Sequence, residues 1–523
     1  MRYDHEYIIL GGGPGGVQLG YFFERAGRDY VILERGARAG AFFETFPRHR
    51  QLISINKRHT GSDDPEFNLR HDWNSLLSEE NALLFRDYDE RYFPRADNLI
   101  RYLNDFVSVN GLAVATGTSI ERIERRDDGY HLHDAGGNDY RCRCLIVATG
   151  LSRPYIPAIP GIELADCYAD AAIDRSQFAN KRVLIIGKGN SAFETADDLV
   201  GEAALIHLAS PESIEMAWKT HYVGHLRAIN NSILDTYHLK SQNAILDATI
   251  LGIRRDGDAL VVKLHYAHAE DEEEEIEYDR VVHCTGFRFD PEPFDASALP
   301  ALTPCGKYPS IGWDYASTNQ PDMHFVGTIT HSLDYRKATS GFIHGFRYNS
   351  RALARVLAAK RHCEPWPMAR RAAEAAALTQ AIIERVNRSS ALWQQPGYMA
   401  DVFGFDSDHV AHYSEMPMGY ARAFGDERFC AYLVASLEYG QAVVADPFRI
   451  ERSFDADASV FLHPVIRFYR EGECVDTCHL LEDLEANWSK PVHRDALSDF
   501  LENALARRAP REALLRGEPS TVA

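Results

Sequence analysis

The fold is decided by three consecutive segments, Glu6-Tyr-Ile-Ile-Leu10, Gly11-Gly-Gly-Pro-Gly-Gly16 and Asp29-Tyr-Val-Ile-Leu-Glu34. The first is an apolar run with no polar alternation, which reads as a strand buried on both faces. Glycines follow it at once, and residues 17–26 then read as a helix. The third is a second apolar run that closes on an acid. Strand, glycine turn, helix and strand in this order make a βαβ unit of the dinucleotide-binding, Rossmann kind.

Each residue type in the unit answers a physical need. Gly11 permits the tight turn out of the strand, Gly13 lets a pyrophosphate approach the backbone, and Gly16 lets the helix lie close on the sheet. Amides at the helix N-terminus face the phosphates, and the helix dipole favours their charge. Glu34 is placed to accept hydrogen bonds from a ribose diol.

A second unit follows. Lys181-Arg-Val-Leu-Ile-Ile186 reads as its strand, Gly187-Lys-Gly-Asn-Ser-Ala192 as its turn, residues 193–200 as its helix and 204–209 as the next strand. Gly187, Gly189 and Ser191 are its candidate nucleotide-binding residues; alanine at the third motif position allows a slightly wider approach of helix to strand. Buried runs ending in small-residue turns recur at Cys144-Leu-Ile-Val-Ala-Thr-Gly150 and Val281-Val-His-Cys-Thr-Gly-Phe287. His324-Phe-Val-Gly327 reads as the last strand of the first sheet and leads through Gly341 into a helix over residues 342–357. The second nucleotide domain is therefore inserted into the first, with crossings near Arg153-Pro154 and Gln320-Pro321.

The expected architecture is α/β, with an FAD-binding domain over 1–154 and 320–360 and an NAD(P)H-binding domain over 155–319. A C-terminal α+β region over 361–523 completes it. In that region residues 369–388 read as a helix, 429–437, 442–450 and 460–469 as strands, and 495–508 as a closing helix. No chemistry is assigned to it. In the first domain, residues 97–109 read as an amphipathic helix opened by an Asp97 cap.

Composition bounds the function. The 523 residues suffice for two or three cores, and 45% hydrophobic with 25% charged residues is the balance of a globular protein. No apolar run reaches the length of a membrane span, and the N-terminus leads straight into the first strand, so a cytoplasmic protein with no membrane partner is expected. The net charge of -20 argues against a nucleic-acid surface. Part of it lies in Glu270-Asp-Glu-Glu-Glu-Glu275, which reads as a solvated hairpin loop between strands at 260–266 and 277–284. The nine cysteines form no CxxC pair, and Cys474 and Cys478 are spaced for a helix face, so reduced thiols and no metal site are expected. A homodimer is the assembly left open.

With two nucleotide motifs in place, the chain resembles the two-dinucleotide flavoproteins, which include pyridine-nucleotide disulfide reductases and class B flavin monooxygenases. Four long stretches are more specific: Phe46-Pro-Arg-His-Arg-Gln-Leu-Ile-Ser-Ile-Asn-Lys57, Phe67-Asn-Leu-Arg-His-Asp-Trp-Asn-Ser-Leu76, the segment from Thr220 to Asn231, and Gly341-Phe-Ile-His-Gly-Phe-Arg347. These resemble the FAD-dependent ER flavoprotein associated with degradation and its bacterial relatives, through Phe461-Leu-His-Pro-Val-Ile466. Two departures stand out. The histidine signature of typical flavin monooxygenases is not evident between the motifs, where Cys167-Tyr-Ala-Asp-Ala-Ala-Ile-Asp174 stands. The chain also ends Ser520-Thr-Val-Ala523, so a role in ER quality control is not carried over.

A disulfide reductase needs a cysteine pair against the flavin, and the loop after Glu34 holds phenylalanines and basic residues instead. Hydride transfer from a nicotinamide to FAD, then electron transfer to oxygen or a small acceptor, is what remains. The resemblance implies a monooxygenase acting through a flavin C4a-hydroperoxide on a small nucleophile, with N-hydroxylation of an amino acid or amine first and an acidic amino acid such as aspartate within that class. The partners are then a small-molecule substrate and molecular oxygen. The alternatives are an FAD oxidoreductase or oxidase passing electrons to a partner protein or to oxygen, and a flavin-binding interaction protein.

By resemblance to the class B motif, Asn56 stands beside the flavin with Lys57 next to it, and His221 joins them as a catalytic candidate; a turn residue is the other reading of Asn56. Arg50 and Arg58 of the basic loop, with His225, Arg227, Arg336 and His344, are the substrate candidates, since arginine binds a carboxylate bidentately. Arg35, Arg48 and the turn glycines Gly150, Gly327 and Gly341 join the cofactor candidates. NADPH is expected from the family alone, with NADH as the alternative, because Ser210-Pro-Glu212 offers neither a strand-end acid nor an arginine cluster.

Overall fold

The computed structural model describes residues 3–79, 83–171, 174–240, 242–440 and 453–508. Its first sheet has His5–Leu10 at the centre, paired in parallel with Tyr30–Leu33 on one side and Asp139–Val147 on the other. Leu10 aligns with both Leu33 and Val147, so all three strands end together at the glycine turn. Tyr7, Ile8 and Ile9 are wholly buried, as a strand covered on both faces requires. Met323–Phe325 returns from far along the chain to pair with Asp139–Val147.

The second sheet runs Ala244–Asp247, Leu205–Ser210, Arg182–Ile186, Arg280–His283, Asp166–Cys167, all parallel. The two sheets repeat one design. Each motif strand lies inside its sheet and feeds a helix, Pro14–Arg25 in the first and Asn190–Leu199 in the second. Arg153–Pro154 pairs with Phe287–Arg288 where the chain crosses between them.

The C-terminal region is built on a six-stranded antiparallel sheet packed by the helices Ala375–Arg388 and Pro491–Ala506. Buried ions join it to the helix Ile343–His362: Arg351 pairs with Glu415, which also meets Arg385, and Arg385 holds Asp401 at 2.6 Å. Among the described residues no helix is long and apolar enough to cross a membrane.

Several local expectations are corrected. The acidic run is turn only at Glu270 and Asp271: Glu272–Tyr278 is a strand paired with Ala259–Tyr266, and Lys263 meets Glu273 at 2.5 Å while Arg254 meets Glu275 at 2.9 Å. Cross-strand cations make the run an exposed sheet face. The Arg280–His283 strand belongs to the other sheet. The helix Ala96–Val109 has Arg95 at its N-cap, and Asp97 lies in the first turn, held by Arg50 at 2.6 Å. Residues 368–371 form an edge strand on Val410–Pro417 before the helix begins at Ala375. Cys474 and Cys478 lie in the strand Glu473–His479. The strand expected over 442–450 falls outside the described residues.

Candidate active site

The glycine turn of the first unit opens on a cavity of about 740 Å³. Gly11 has φ +114°, and a Cβ there would lie 2.6 Å from the Ala148 carbonyl oxygen, so only glycine makes this turn. A Cβ on Gly16 would strike the Gly11 carbonyl, and one on Gly15 would lie 2.6 Å from the Cα of Gly327. The helix is thus pressed onto both the turn and the return strand. Gly13 is the contrast: a Cβ there would meet nothing within 4 Å, because this residue faces the cavity.

At the end of Tyr30–Leu33, Glu34 is 8% exposed and ties the two flanking glycine segments together. One carboxylate oxygen accepts the Gly12 amide at 2.7 Å and the other the Gly36 amide at 2.7 Å. Each oxygen keeps a second lone pair for a diol hydroxyl. Arg35 lines the same end of the cavity, as do Thr118 and Ser119. Thr149, in the small-residue turn with Gly150, has a buried hydroxyl without a partner.

The opposite end is aromatic. His344, in the first turn of Ile343–His362, stacks on Trp73 with ring centroids 4.2 Å apart and planes at 24°. It also stacks on Phe342 at 5.8 Å. His344 is 1% exposed, and neither ring nitrogen has a partner. Burial, aided by the Arg347 and Arg227 charges, holds its pKa well below that of a free imidazole, so the ring is neutral. Arg227 lies over the Trp73 indole at 5.1 Å and donates to the Ile53 carbonyl at 3.0 Å. Asn74 lines the cavity beside Trp73 and accepts the Ser54 hydroxyl at 2.5 Å.

A buried guanidinium fixes this arrangement. Arg347, one helical turn beyond His344, donates to the carbonyls of Leu69, Asp72 and Ser75 at 2.7, 3.0 and 2.8 Å. It therefore clamps the loop that carries Trp73 to the helix that carries His344. Beside Phe342, Tyr222 of the inserted domain bonds His331 at 2.8 Å, and His331 bonds Asp334 at 2.9 Å. Asp334 also accepts the Ser340 amide at 3.0 Å, which sets the approach to Gly341 and Phe342.

The cavity is the shape and chemistry of an FAD site. An open glycine turn at a helix N-terminus, a strand-end acid and unpartnered buried polar atoms at Thr149 and His344 are what a dinucleotide with a polar ring edge would complete. Of the residues named from sequence, Gly11, Gly13, Glu34, Arg35, Gly150, Gly327, Gly341, Arg227 and His344 line it, while Gly16 packs behind the turn.

Other named residues are placed elsewhere. Asn56 is 2% exposed but turns away, giving its amide to the Asp89 carbonyl at 2.5 Å, and its backbone bonds Tyr92. Lys57 is exposed, and Arg58 pairs with Glu90 at 2.9 Å. Arg50 is spent on Asp97 and the Phe43 carbonyl, and Arg48 on the Ala171 carbonyl of the inserted domain. Arg336 is exposed over Tyr335. His221 stacks on Tyr439 at 4.3 Å, and His225 bonds Thr220 at 2.7 Å. None of these eight lines the cavity. Trp73 and Asn74 are the residues that sequence reasoning did not single out, although the stretch Phe67 to Leu76 carried them.

In the second unit Gly187 repeats the turn, with φ +126° against the Cys284 carbonyl, and a Cβ on Gly189 would again meet nothing within 4 Å. Asn190 fastens the segment after the unit over this turn, donating to the Gly224 and His225 carbonyls and accepting the Arg227 amide at 2.9 Å. Ser191 lies beside Tyr168 at the same end.

Two dinucleotide domains sharing one cavity, and an antiparallel sheet region behind them, define an FAD-dependent oxidoreductase of the two-dinucleotide class. The chain belongs to the pyridine nucleotide-disulphide oxidoreductase family, whose model matches residues 8–327. It is a close homologue of FAD-dependent oxidoreductase domain-containing protein 2 of Mus musculus, 38% identical over 96% of this chain and 84% of that one. In fold it is similar to a bacillithiol disulfide reductase from Staphylococcus aureus, with a TM-score of 0.54 and 19% identity over 69% of this chain and all of that one. A flavin-containing monooxygenase from Stenotrophomonas maltophilia gives 0.53 and 20% over the same shares.

Proposed function

We propose that the protein is an NAD(P)H-dependent FAD monooxygenase acting on a small nucleophilic substrate, with N-hydroxylation of an amino acid or amine as the reaction. The observation that carries the reading is the end wall of the cavity: a cation, Arg227, over an indole, beside a neutral imidazole with both nitrogens free. When bound, the flavin supplies the redox chemistry, taking hydride from a nicotinamide and passing the electron pair to oxygen. The protein's part is to hold, orient and shield.

Gly11 to Gly16 and Glu34 hold the dinucleotide by its phosphates and ribose. Trp73, Phe342 and His344 form an apolar end that keeps bulk water from the reacting face. Being neutral, His344 carries one N–H donor and one bare ring nitrogen for hydrogen bonding at this end, while burial and the two arginine charges disfavour its taking up a proton. Arg227 suits the carboxylate of an amino acid. No cysteine is among the described residues that line the cavity, so the dithiol exchange after which the family is named has no supporting group there.

Turnover of amino acids and amines with isotopically labelled oxygen tests the reading. Label in a hydroxylated product, in step with nucleotide consumed, supports it. Stoichiometric hydrogen peroxide with every candidate, or reduction of a protein partner, would favour the oxidoreductase or oxidase alternative.

A further inference from the structure

The second nucleotide unit has an acid at its ribose end that its own strand does not supply. The strand Leu205–Ser210 ends on Ser210, where a nucleotide-binding unit places the group that meets the adenosine ribose. Its parallel neighbour, Ala244–Asp247, ends in register with it, Ser210 opposite Asp247. Lys188, the second residue of the Gly187-Lys-Gly189 turn, crosses to this corner with its side chain 4% exposed. Its ammonium donates to the Ser210 carbonyl at 3.1 Å, to the Glu212 carbonyl at 3.0 Å and to the Asp247 carboxylate.

These three bonds use all three ammonium donors, so Lys188 has none left for a phosphate. Asp247 is also held by the Ser213 hydroxyl at 2.7 Å. Burial works against its charge, but the bonds from Lys188 and Ser213 outweigh that and keep its pKa below the ordinary aspartate value. The Lys188 ammonium is thus matched by a carboxylate, and residues 201–218 contain neither arginine nor lysine. A ribose diol meets an acceptor here, whereas a 2′-phosphate meets a carboxylate and a cation already committed.

We propose that Asp247, held by Lys188, is the ribose-reading carboxylate of the second unit, and that the protein takes NADH in preference to NADPH. The inference rests on the reading of this unit as a pyridine-nucleotide site, and it reverses the cofactor choice that family resemblance implies. In the first unit Glu34 does the same task from its own strand end, held there by backbone amides. In the second the acid comes from the next strand and is held by a side chain.

Calorimetric titration of the FAD-loaded protein with ADP-ribose and with 2′-phospho-ADP-ribose tests this directly, since both carry the discriminating group and neither transfers hydride. ADP-ribose should bind at least about tenfold more tightly, because a committed cation cannot repay desolvation of the extra phosphate. In Asp247→Asn the preference should shrink by at least about fivefold, mainly through tighter binding of the phosphorylated ligand as Lys188 is released. Equal or tighter binding of 2′-phospho-ADP-ribose by the wild type overturns the inference and leaves the nucleotide reading standing. An unchanged ratio in a folded Asp247→Asn protein also overturns it. Binding of neither ligand removes the nucleotide reading and the inference with it.

Discussion

Trp73 and His344 stack at 4.2 Å on the wall of the cavity, and the two segments that carry them are clamped together by the Arg347 guanidinium. The stack is therefore held by polar bonds behind it, and both imidazole nitrogens are buried without a partner. An imidazole kept neutral and without partners is costly unless something in the cavity completes it. This is the observation behind the part that the proposed function gives His344.

His344→Phe keeps a ring in the stack and removes both nitrogens. The expected outcome is flavin content equal to that of the wild type with turnover lowered by at least about tenfold, the effect of losing a polar group fixed at the reacting end. Unchanged turnover would reduce His344 to packing.

In the proposed function Arg227 meets the substrate's carboxylate. Arg227→Lys retains the charge but loses the planar fork, and KM for a carboxylate substrate should rise by about tenfold or more. An uncharged amine should show little change. Steady-state kinetics on the two substrate types distinguishes this from a general loss of structure, which would affect both.

Gly13 and Gly15 are neighbours in one motif with opposite surroundings. Gly13→Ala adds a methyl to open cavity and should leave the melting temperature near the wild-type value while FAD affinity falls by about tenfold or more. Gly15→Ala drives a methyl against Gly327 and should destabilise the fold itself by about 1–3 kcal/mol. Flavin release and thermal melting, measured on both variants, separate the two roles.

A pH dependence is built into the contact between the Phe46 loop and the inserted domain. Glu194, on the second motif helix, accepts the Tyr168 hydroxyl at 3.4 Å through one oxygen, and its other oxygen is buried without a partner. Burial pushes its pKa up to about 7. Because the folded value lies above the unfolded one, the native state binds more protons between them. The stabilisation is complete below about pH 4 and is lost as pH rises through about 7, a change on the order of 3 kcal/mol. Glu194→Gln cannot ionise, so its stability relative to wild type should increase from about pH 5 to about pH 8.5, as read by denaturant melts. A constant difference would place the charge elsewhere.

The two nucleotide units were legible because their glycines answer backbone demands that no other residue meets: Gly11 and Gly187 take positive φ against a carbonyl, and Gly16 has no room for a Cβ. The return of the chain to the first sheet was legible from His324-Phe-Val-Gly327, a short apolar run that needed a sheet to join, but the point of crossing was not: Phe289, Phe294 and Tyr315, ahead of Gln320-Pro321, already pack in the core of the first sheet. The aromatic end of the cavity was not. Asn56 and Asn74 lie in the same loop-rich region, and nothing in their spacing says that the Asp89 carbonyl captures one while the other turns inward. The basic loop misled for a related reason: Arg48, Arg50 and Arg58 find carbonyls and carboxylates of this chain, partners that lie far away in sequence. The acidic strand Glu272–Tyr278 was hidden in the same way, because its cations sit on neighbouring strands.

The most direct test of the central claim is anaerobic reduction of the purified, FAD-loaded protein by a pyridine nucleotide, followed by mixing with oxygen in the presence of amino acids and amines. The bound flavin should bleach with one equivalent of nucleotide, and its reoxidation should yield a hydroxylated product with little free peroxide. A flavin that no pyridine nucleotide reduces, or one that returns every electron pair as hydrogen peroxide whatever substrate is added, would contradict the account.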